Sequence, residues 1–129
     1  MLLCLFAFSA ASEISCNGGH CYCQIGKLVQ TKSATYNGCG PEENHITVPL
    51  DWGFERVCNN HDICYGTCGK YRQLCDNDFG DGLVIKCIDN VGPGSARDYC
   101  MLTANMMYDA VKHYGNTFFE QAQKEDCKC

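Results

Sequence analysis

The chain has 129 residues, of which 13 are cysteines, and its formal net charge is −5. This length supports one domain with a modest core, and a cysteine content of roughly a tenth is typical of a disulfide-stabilised scaffold. The acidic balance argues against a nucleic-acid-binding protein and against electrostatic capture by anionic membranes.

The N-terminal segment MLLCLFAFSAAS is apolar and ends in small side chains. This pattern is typical of a secretory signal peptide, and the segment is too short to span a bilayer. We therefore predict a signal peptide over residues 1–12 and one domain over residues 13–129. Removing the signal also removes Cys4 and leaves twelve cysteines, an even number that could form six disulfides in a secreted, extracellular protein.

The region before the first predicted helix is polar and loop-like over residues 13–36, and the sequence NGCGP at 37–41 is a strong turn signal. A first helix is predicted to begin at Asp51, which can cap it, and to end at the glycines after Tyr65. Side chains at intervals of three and four form one face of this helix: Phe54, Val57, Cys58, His61, Cys64 and Tyr65.

Two further helices are predicted from the remaining sequence. The second covers residues 70–87, and its short connection to the first would make the two antiparallel neighbours. The sequence NVGPG at 90–94 interrupts the chain. A third helix then opens at SARD, residues 95–98, which resembles a capping box, and is predicted to end at Gly115. The predicted fold is therefore mainly α, small and disulfide-rich.

The segment VCNNHDICYGTCG at 57–69 places the pair His61 and Asp62 among three cysteines. The spacing resembles that of zinc ligands, but a secreted chain oxidises such cysteines, which argues against a zinc–thiolate site. A plainer interpretation is a half-buried structural histidine on a disulfide-stapled helix.

A catalytic interpretation depends on an acidic residue of the second helix. If Cys64 and Cys75 pair, Asp76 lies within reach of the first helix. A neutral histidine held by a carboxylate on one ring nitrogen can take a proton from water through the other. Asp62 could supply hard oxygen ligands, and the NGCG turn could add backbone carbonyls, which together form the environment that calcium prefers.

The runs NGCGPE, CNNHDICYGTCGK and CDNDF resemble the secreted phospholipase A2 family, in particular its group XII branch and related conodipine-like members. The resemblance covers roughly residues 37–83. The family usually has two adjacent cysteines before xxHD, and Val57 stands where the first would be. Its usual partner lies six residues after the aspartate of the second helix, at Gly82. Both halves of one disulfide are absent together, as a correct alignment requires.

The resemblance implies two disulfides and a role for each residue of the site. The disulfides are Cys39–Cys58 and Cys64–Cys75. His61 would be the general base that activates water. Asp76 would orient its imidazole, and Tyr65 would hydrogen-bond that aspartate.

The resemblance also implies a calcium cofactor. Asp62 would be the side-chain ligand of the ion. Backbone carbonyls would come from the loop at Gly38, Gly40 and Glu42, and the amide of Gly40 could help to stabilise the oxyanion. The implied architecture is two antiparallel helices that carry the site, a calcium-binding loop before them and a C-terminal helix behind.

The implied function is calcium-dependent hydrolysis of the sn-2 ester of glycerophospholipids, which releases a fatty acid and a lysophospholipid. The expected partner is a membrane or micelle interface, and the expected state is a monomer. The alternative is a secreted toxin-like or receptor-binding module that keeps the scaffold and hydrolyses little. Such a module has no physical need for His61, Asp62 and Asp76 in register, so their presence favours the enzyme.

Two apolar features of the sequence admit different interpretations. Trp52 could insert into a membrane interface or pack beneath the loop, and the sequence leaves both open. A group of methionines in the third helix is predicted to fill the core rather than to contact lipid: Met101, Met106 and Met107.

Overall fold

The computed structural model describes residues 13–39 and 48–129, and this part of the chain is mainly helical. In chain order its elements are β1 (Ile14–Asn17), β2 (His20–Cys23), β3 (Val29–Gln30), a 3₁₀ turn (Leu50–Trp52), α1 (Phe54–Tyr65), α2 (Arg72–Asn90), α3 (Ser95–Asp126) and β4 (Cys127–Lys128). The predicted mainly α, disulfide-rich fold is confirmed. Within the described ranges, no helix combines the length and apolar character that crossing a bilayer requires.

The first predicted helix begins later than its sequence suggested. Asp51 lies in the 3₁₀ turn, and Gly53, with a φ of 77°, separates this turn from α1, which has no side-chain cap. Glycine adopts this left-handed conformation without the steric cost of a Cβ atom. Asn90, at the end of α2, donates to the Trp52 carbonyl at 2.8 Å and holds the turn in place. The prediction that Asp51 caps the helix was therefore wrong.

The predicted end of the third helix was also wrong. Helix α3 continues through Gly115 to Asp126, and Gly115 is buried. A Cβ atom on Gly115 would collide with the hydroxyl of Tyr65. This glycine therefore permits a close contact between α3 and α1 rather than ending the helix. At the other end of α3 the helix begins after Gly94 without a side-chain cap, so the predicted capping box does not form.

The region predicted as a loop contains a short antiparallel hairpin. Strands β1 and β2 pair with Cys16 opposite Cys21, and these two cysteines form a disulfide. Gly18 and Gly19 form the turn, with φ values of 62° and 78°. Two glycines with positive φ match the turn that a two-residue hairpin prefers. The dipeptide was the available signal, and the strands are too short to show alternation.

Helices α1 and α2 are antiparallel, because residues nearer the start of α1 contact residues nearer the end of α2. Going in that direction, Cys64 bonds Cys75, His61 contacts Asp76, and Val57 lies against Gly82. The core lies between these two helices and α3. Its largest fully buried apolar side chains are Phe54, Phe119 and Leu83.

All twelve cysteines of residues 13–129 are paired in the structure. The two pairings that the family resemblance implied, Cys39–Cys58 and Cys64–Cys75, are both confirmed. The other four disulfides are Cys16–Cys21, Cys23–Cys129, Cys68–Cys127 and Cys87–Cys100. Together these bonds join each helix to the next and attach the C-terminal end of the chain to the N-terminal hairpin.

The apolar residues left open by the sequence divide between core and surface. Trp52 is buried and packs against Phe54 and Tyr99, with ring centroids 5.3 and 5.7 Å away. Packing is therefore the interpretation that the structure supports. Of the methionines, Met107 is buried in the core, whereas Met106 is 64% exposed, so the prediction of core filling was wrong for Met106.

Candidate active site

The imidazole of His61 is bonded to the carboxylate of Asp76. The distance from His61 Nε2 to Asp76 Oδ1 is 2.8 Å, and both residues are buried. The Cys64–Cys75 disulfide joins α1 to α2 beside this contact and fixes the separation of the two helices. Because Asp76 accepts the hydrogen on Nε2, the nitrogen that can accept a further proton is Nδ1.

Tyr65 donates a second hydrogen bond to the same carboxylate oxygen. The distance from Tyr65 Oη to Asp76 Oδ1 is 2.6 Å. Burial, and then the hydrogen bond to Asp76 and its negative charge, raise the pKa of the Tyr65 hydroxyl far above its ordinary value of 10.0. The hydroxyl therefore remains protonated and acts as a donor. The structure thus brings together the three residues predicted as catalytic: His61, Tyr65 and Asp76.

Aromatic rings surround the imidazole and restrict its movement. The ring centroid of His61 lies 4.2 Å from that of Tyr65 and 4.6 Å from that of Phe79. Tyr65 in turn packs edge-on against Phe119, with centroids 5.2 Å apart. Rings at these separations attract each other and exclude water. The imidazole is therefore held by packing as well as by its bond to Asp76.

Asp62 lies beside the start of the predicted calcium loop. The backbone amide of Asn37 donates to Asp62 Oδ2 at 3.0 Å, and the amide of Gly38 donates to Asn59 Oδ1 at 2.9 Å. Partial burial raises the pKa of the Asp62 carboxyl, and the bond from Asn37 acts in the opposite direction. With the Cys39–Cys58 disulfide, these bonds hold residues 37–39 against α1.

The donors that the structure describes fit a calcium ion in kind. Asp62 supplies a half-buried carboxylate, and the loop backbone at Gly38 runs alongside it. Calcium accepts both carboxylate and backbone carbonyl oxygens. In the described ranges no three His, Cys, Asp or Glu side chains cluster around one metal-sized position, and a ligand set made mostly of carbonyls does not require such a cluster. Two predicted ligands, Gly40 and Glu42, lie outside the described residues.

Two residues that the sequence analysis did not select also contact the site. Arg72 Nε lies 3.3 Å from Asp76 Oδ2, and the sequence signal was the spacing of four between opposite charges on one helix. Gln123, fully buried on α3, donates to the Tyr65 carbonyl at 2.6 Å and to the Thr67 carbonyl at 2.8 Å. No pattern indicated Gln123, because a glutamine among charged residues is typical of a helix surface.

The comparison with known families agrees with this site. A family described as "Group XII secretory phospholipase A2 precursor" matches residues 8–129. The chain belongs to the group XII secretory phospholipase A2 family. The match covers the His61–Asp76 pair and the Asn37–Gly38 turn. It also covers helix α3, which lay outside the sequence resemblance over residues 37–83.

Individual group XII relatives are similar at modest identity. The human group XIIA secretory phospholipase A2 is 31% identical over 103 residues, which cover 76% of this chain and 54% of that protein. The mouse group XIIA protein is also 31% identical over 103 residues, 76% of this chain and 53% of its own length. A mouse group XIIB secretory phospholipase A2-like protein is 29% identical over 120 residues, 83% of this chain and 62% of its own length. The chain therefore spans about half the length of the group XIIA relatives it matches, and no solved structure matches it significantly.

Proposed function

We propose that the protein hydrolyses the sn-2 ester bond of glycerophospholipids in a calcium-dependent reaction and releases a fatty acid and a lysophospholipid. The observation that carries this proposal is the buried contact of 2.8 Å between His61 and Asp76. The residue that follows His61 in the chain is Asp62, which supplies a second carboxylate beside it. Membership of a family described as secretory phospholipase A2 supports the same reaction.

In this mechanism His61 acts as the general base. Its Nδ1 nitrogen removes a proton from a water molecule, and the resulting hydroxide attacks the ester carbonyl. Asp76 holds Nε2 and stabilises the imidazolium that forms when the proton arrives. When the tetrahedral intermediate collapses, the same imidazolium returns the proton to the leaving alkoxide. Tyr65 keeps Asp76 in place throughout this cycle because its hydroxyl remains protonated.

The calcium ion would be held by the carboxylate of Asp62 and by loop carbonyls that we assign to Gly38, Gly40 and Glu42. Bound there, it would supply positive charge to the ester carbonyl and the phosphate of the substrate. The amide of Gly40 would donate to the same developing oxyanion. The Asn37 and Gly38 amides already bond to α1, which keeps the start of the loop beside Asp62.

Water is the nucleophile that best fits this chain. All twelve cysteines of residues 13–129 are in disulfides, so none of them offers a thiolate. No serine or threonine contacts His61 among the described hydrogen bonds. A histidine that activates water directly needs no covalent intermediate.

We further propose that the protein is secreted as a monomer after removal of residues 1–12 and acts at a membrane or micelle interface. The disulfide content supports an oxidising, extracellular compartment. The domain would comprise residues 13–129, a range that the family match covers in full. The acidic net charge of −5 favours zwitterionic phospholipid over an anionic bilayer as the substrate surface.

The test is fatty-acid release from phosphatidylcholine vesicles labelled in the sn-2 chain, measured with calcium and again with EDTA. We expect release that requires calcium and that His61→Gln reduces by at least about 100-fold, since a general base contributes that much or more. His113→Gln is the matched control, because His113 is an exposed histidine of α3. Release in EDTA would overturn the calcium assignment. A folded protein that binds calcium without hydrolysis would instead be a binding module.

A further inference from the structure

The carboxylate of Asp76 has a different partner on each oxygen. Oδ1 accepts the hydrogen bonds from His61 and Tyr65, and Oδ2 faces the guanidinium of Arg72 at 3.3 Å. The Asp76 side chain is 3% exposed and that of Arg72 is 19% exposed. A buried carboxylate is costly unless an opposite charge and hydrogen bonds compensate for its lost hydration. Arg72 supplies that opposite charge.

Arg72 is itself fixed by three contacts from two other elements. Its backbone amide donates to the Gly19 carbonyl at 2.8 Å, and Nη2 donates to the Lys112 carbonyl on α3 at 2.8 Å. A Cβ atom on Gly19 would lie 3.1 Å from the Cβ of Arg72, so the hairpin turn packs directly on the arginine stem. The hairpin therefore holds the backbone and Cβ of Arg72, while the Lys112 carbonyl on α3 holds its guanidinium beside Asp76.

This arrangement also limits the access of water to the carboxylate. Arg72 and Asp76 line the same groove of about 570 Å³, which is also lined by Gly18, Gly19 and Asn77. A shorter or neutral side chain at position 72 would leave Asp76 open to water from this groove. Water would then compete with His61 for the carboxylate oxygens, and the carboxylate could turn away from the imidazole.

We propose that Arg72 is a positioning residue for the reaction, which acts on His61 through Asp76. It holds Oδ2 so that the plane of the carboxylate presents Oδ1 to His61 and Tyr65. The inference rests on the proposed hydrolytic function, since it assigns Arg72 to the step in which His61 takes a proton. The planar guanidinium forms an ion pair with Asp76 and at the same time donates a hydrogen bond to the Lys112 carbonyl. Lysine can therefore replace its charge but not both contacts.

The experiment compares Arg72→Gln, Arg72→Lys and the control Arg97→Gln. Arg97 is a matched control because its guanidinium also bonds backbone carbonyls, those of Val91 and Ile88, and has no contact with Asp76. Each variant is examined for kcat, KM, calcium affinity and thermal stability. The far-downfield proton resonance of the His61–Asp76 hydrogen bond is recorded by NMR as a readout that does not depend on turnover.

We expect Arg72→Gln to lower kcat by about 10- to 100-fold, the loss typical of removing a residue that supports a metal ligand from outside the coordination sphere, which we apply here to a residue that supports the carboxylate beside the base. KM and calcium affinity should remain at their wild-type values, and the downfield resonance should shift or broaden. Arg72→Lys should recover part of kcat and of the resonance. Arg97→Gln should retain the wild-type kcat and resonance even if it lowers thermal stability.

Two results would overturn the inference. The first is an Arg72→Gln variant whose kcat and resonance equal those of the wild type. The second is an Arg97→Gln variant that lowers kcat as much as Arg72→Gln does for the same loss of stability. A wild-type protein without hydrolysis would instead contradict the proposed function. In that case the NMR comparison still decides whether Arg72 holds the His61–Asp76 pair, so the two failures can be told apart.

Discussion

A Cβ atom on Gly82 would lie 3.8 Å from the Cβ atom of Val57 and 2.9 Å from its Cγ1 methyl. The first distance is the mean Cβ separation of disulfide-bonded cysteines, about 3.8 Å. These are the two positions at which secreted phospholipases A2 usually carry a bond between the two antiparallel helices. Here a valine methyl occupies the space beside a glycine, so side-chain packing has replaced the covalent link.

The double variant Val57→Cys/Gly82→Cys should therefore form a seventh disulfide without moving either helix. The new bond would close the loop between positions 57 and 82. It should raise the free energy of unfolding by about 3 kcal/mol, because it restricts the unfolded chain. Mass spectrometry without reduction counts the thiols, and denaturant unfolding measures the stability. Val57→Cys alone is the control, with one free thiol. Two free thiols in a folded double variant would contradict the predicted geometry.

The helices that carry the site could be predicted because side-chain spacing encodes them directly. His61 and Tyr65 share one face of α1, and Asp76 follows the cysteine that joins α2 to it. Gly115 could not be assigned in the same way. In a sequence, a glycine at this position indicates the end of a helix. Only the contact with Tyr65 on α1 shows why α3 needs a glycine at position 115.

Residues that act across long sequence separations were the least predictable. Arg72 contacts Gly19 and Lys112, which lie 53 residues before it and 40 residues after it, and no periodic pattern links such positions. The hairpin escaped prediction for a different reason. Strands of four residues are too short for alternation to be visible, and a disulfide between Cys16 and Cys21 supplies part of their stability.

The raised pKa of Tyr65 predicts a stability change at alkaline pH. In the unfolded chain the phenol loses its proton near pH 10, whereas burial and Asp76 keep it protonated in the folded protein. The folded state then binds more protons than the unfolded state, so stability falls as the pH rises above 10. Tyr65→Phe should remove this part of the decline.

Denaturant unfolding of wild type and Tyr65→Phe at a series of pH values from 7 to 11 checks this prediction. At neutral pH the variant should be less stable by about 2 kcal/mol, since it loses a hydrogen bond to a charged group. The difference between the two proteins should shrink above pH 10. A constant difference across the series would show that the hydroxyl titrates alike in the folded and unfolded states.

Gly115→Ala should destabilise the protein although alanine favours helices. The exchange gains about 1 kcal/mol of helix propensity, but the new methyl group would collide with the Tyr65 hydroxyl. Overpacking of this kind costs about 1 to 3 kcal/mol. The hydroxyl would also be pushed from Asp76, so the hydrolysis that we propose for this protein should fall with stability.

A double-mutant cycle identifies the cause. Tyr65→Phe removes the atom that collides, so Gly115→Ala should cost less stability in the Tyr65→Phe background than in the wild type. Gly92→Ala is the control, because Gly92 has no atoms within 4 Å of an added Cβ and no positive φ. Equal costs of Gly115→Ala in both backgrounds would mean that the glycine serves something other than Tyr65.

Among the polar side chains of α3, we expect Gln123 to contribute most to stability, so its replacement should cause the largest loss. Its amide donates to the carbonyls of Tyr65 and Thr67 and accepts from the amide of Gly69 at 3.1 Å. These groups belong to the last residue of α1 and to the turn that follows it, where a helix leaves its last carbonyls without partners. Gln123→Met keeps the side-chain volume but leaves the backbone groups unpaired, which should cost about 3 kcal/mol.

The matched control for this variant is Gln121→Met, since Gln121 is an exposed residue of the same helix whose amide donates to Glu125, one turn further along α3. Urea unfolding should show a small change for Gln121→Met and a large one for Gln123→Met. Hydrogen exchange separates the causes further. Amides of residues 65–69 should exchange faster in Gln123→Met, because their turn loses its attachment to α3, while amides of α2 should change less. Uniform acceleration would instead indicate a general loss of stability, and the specific role of Gln123 at the end of α1 would be wrong.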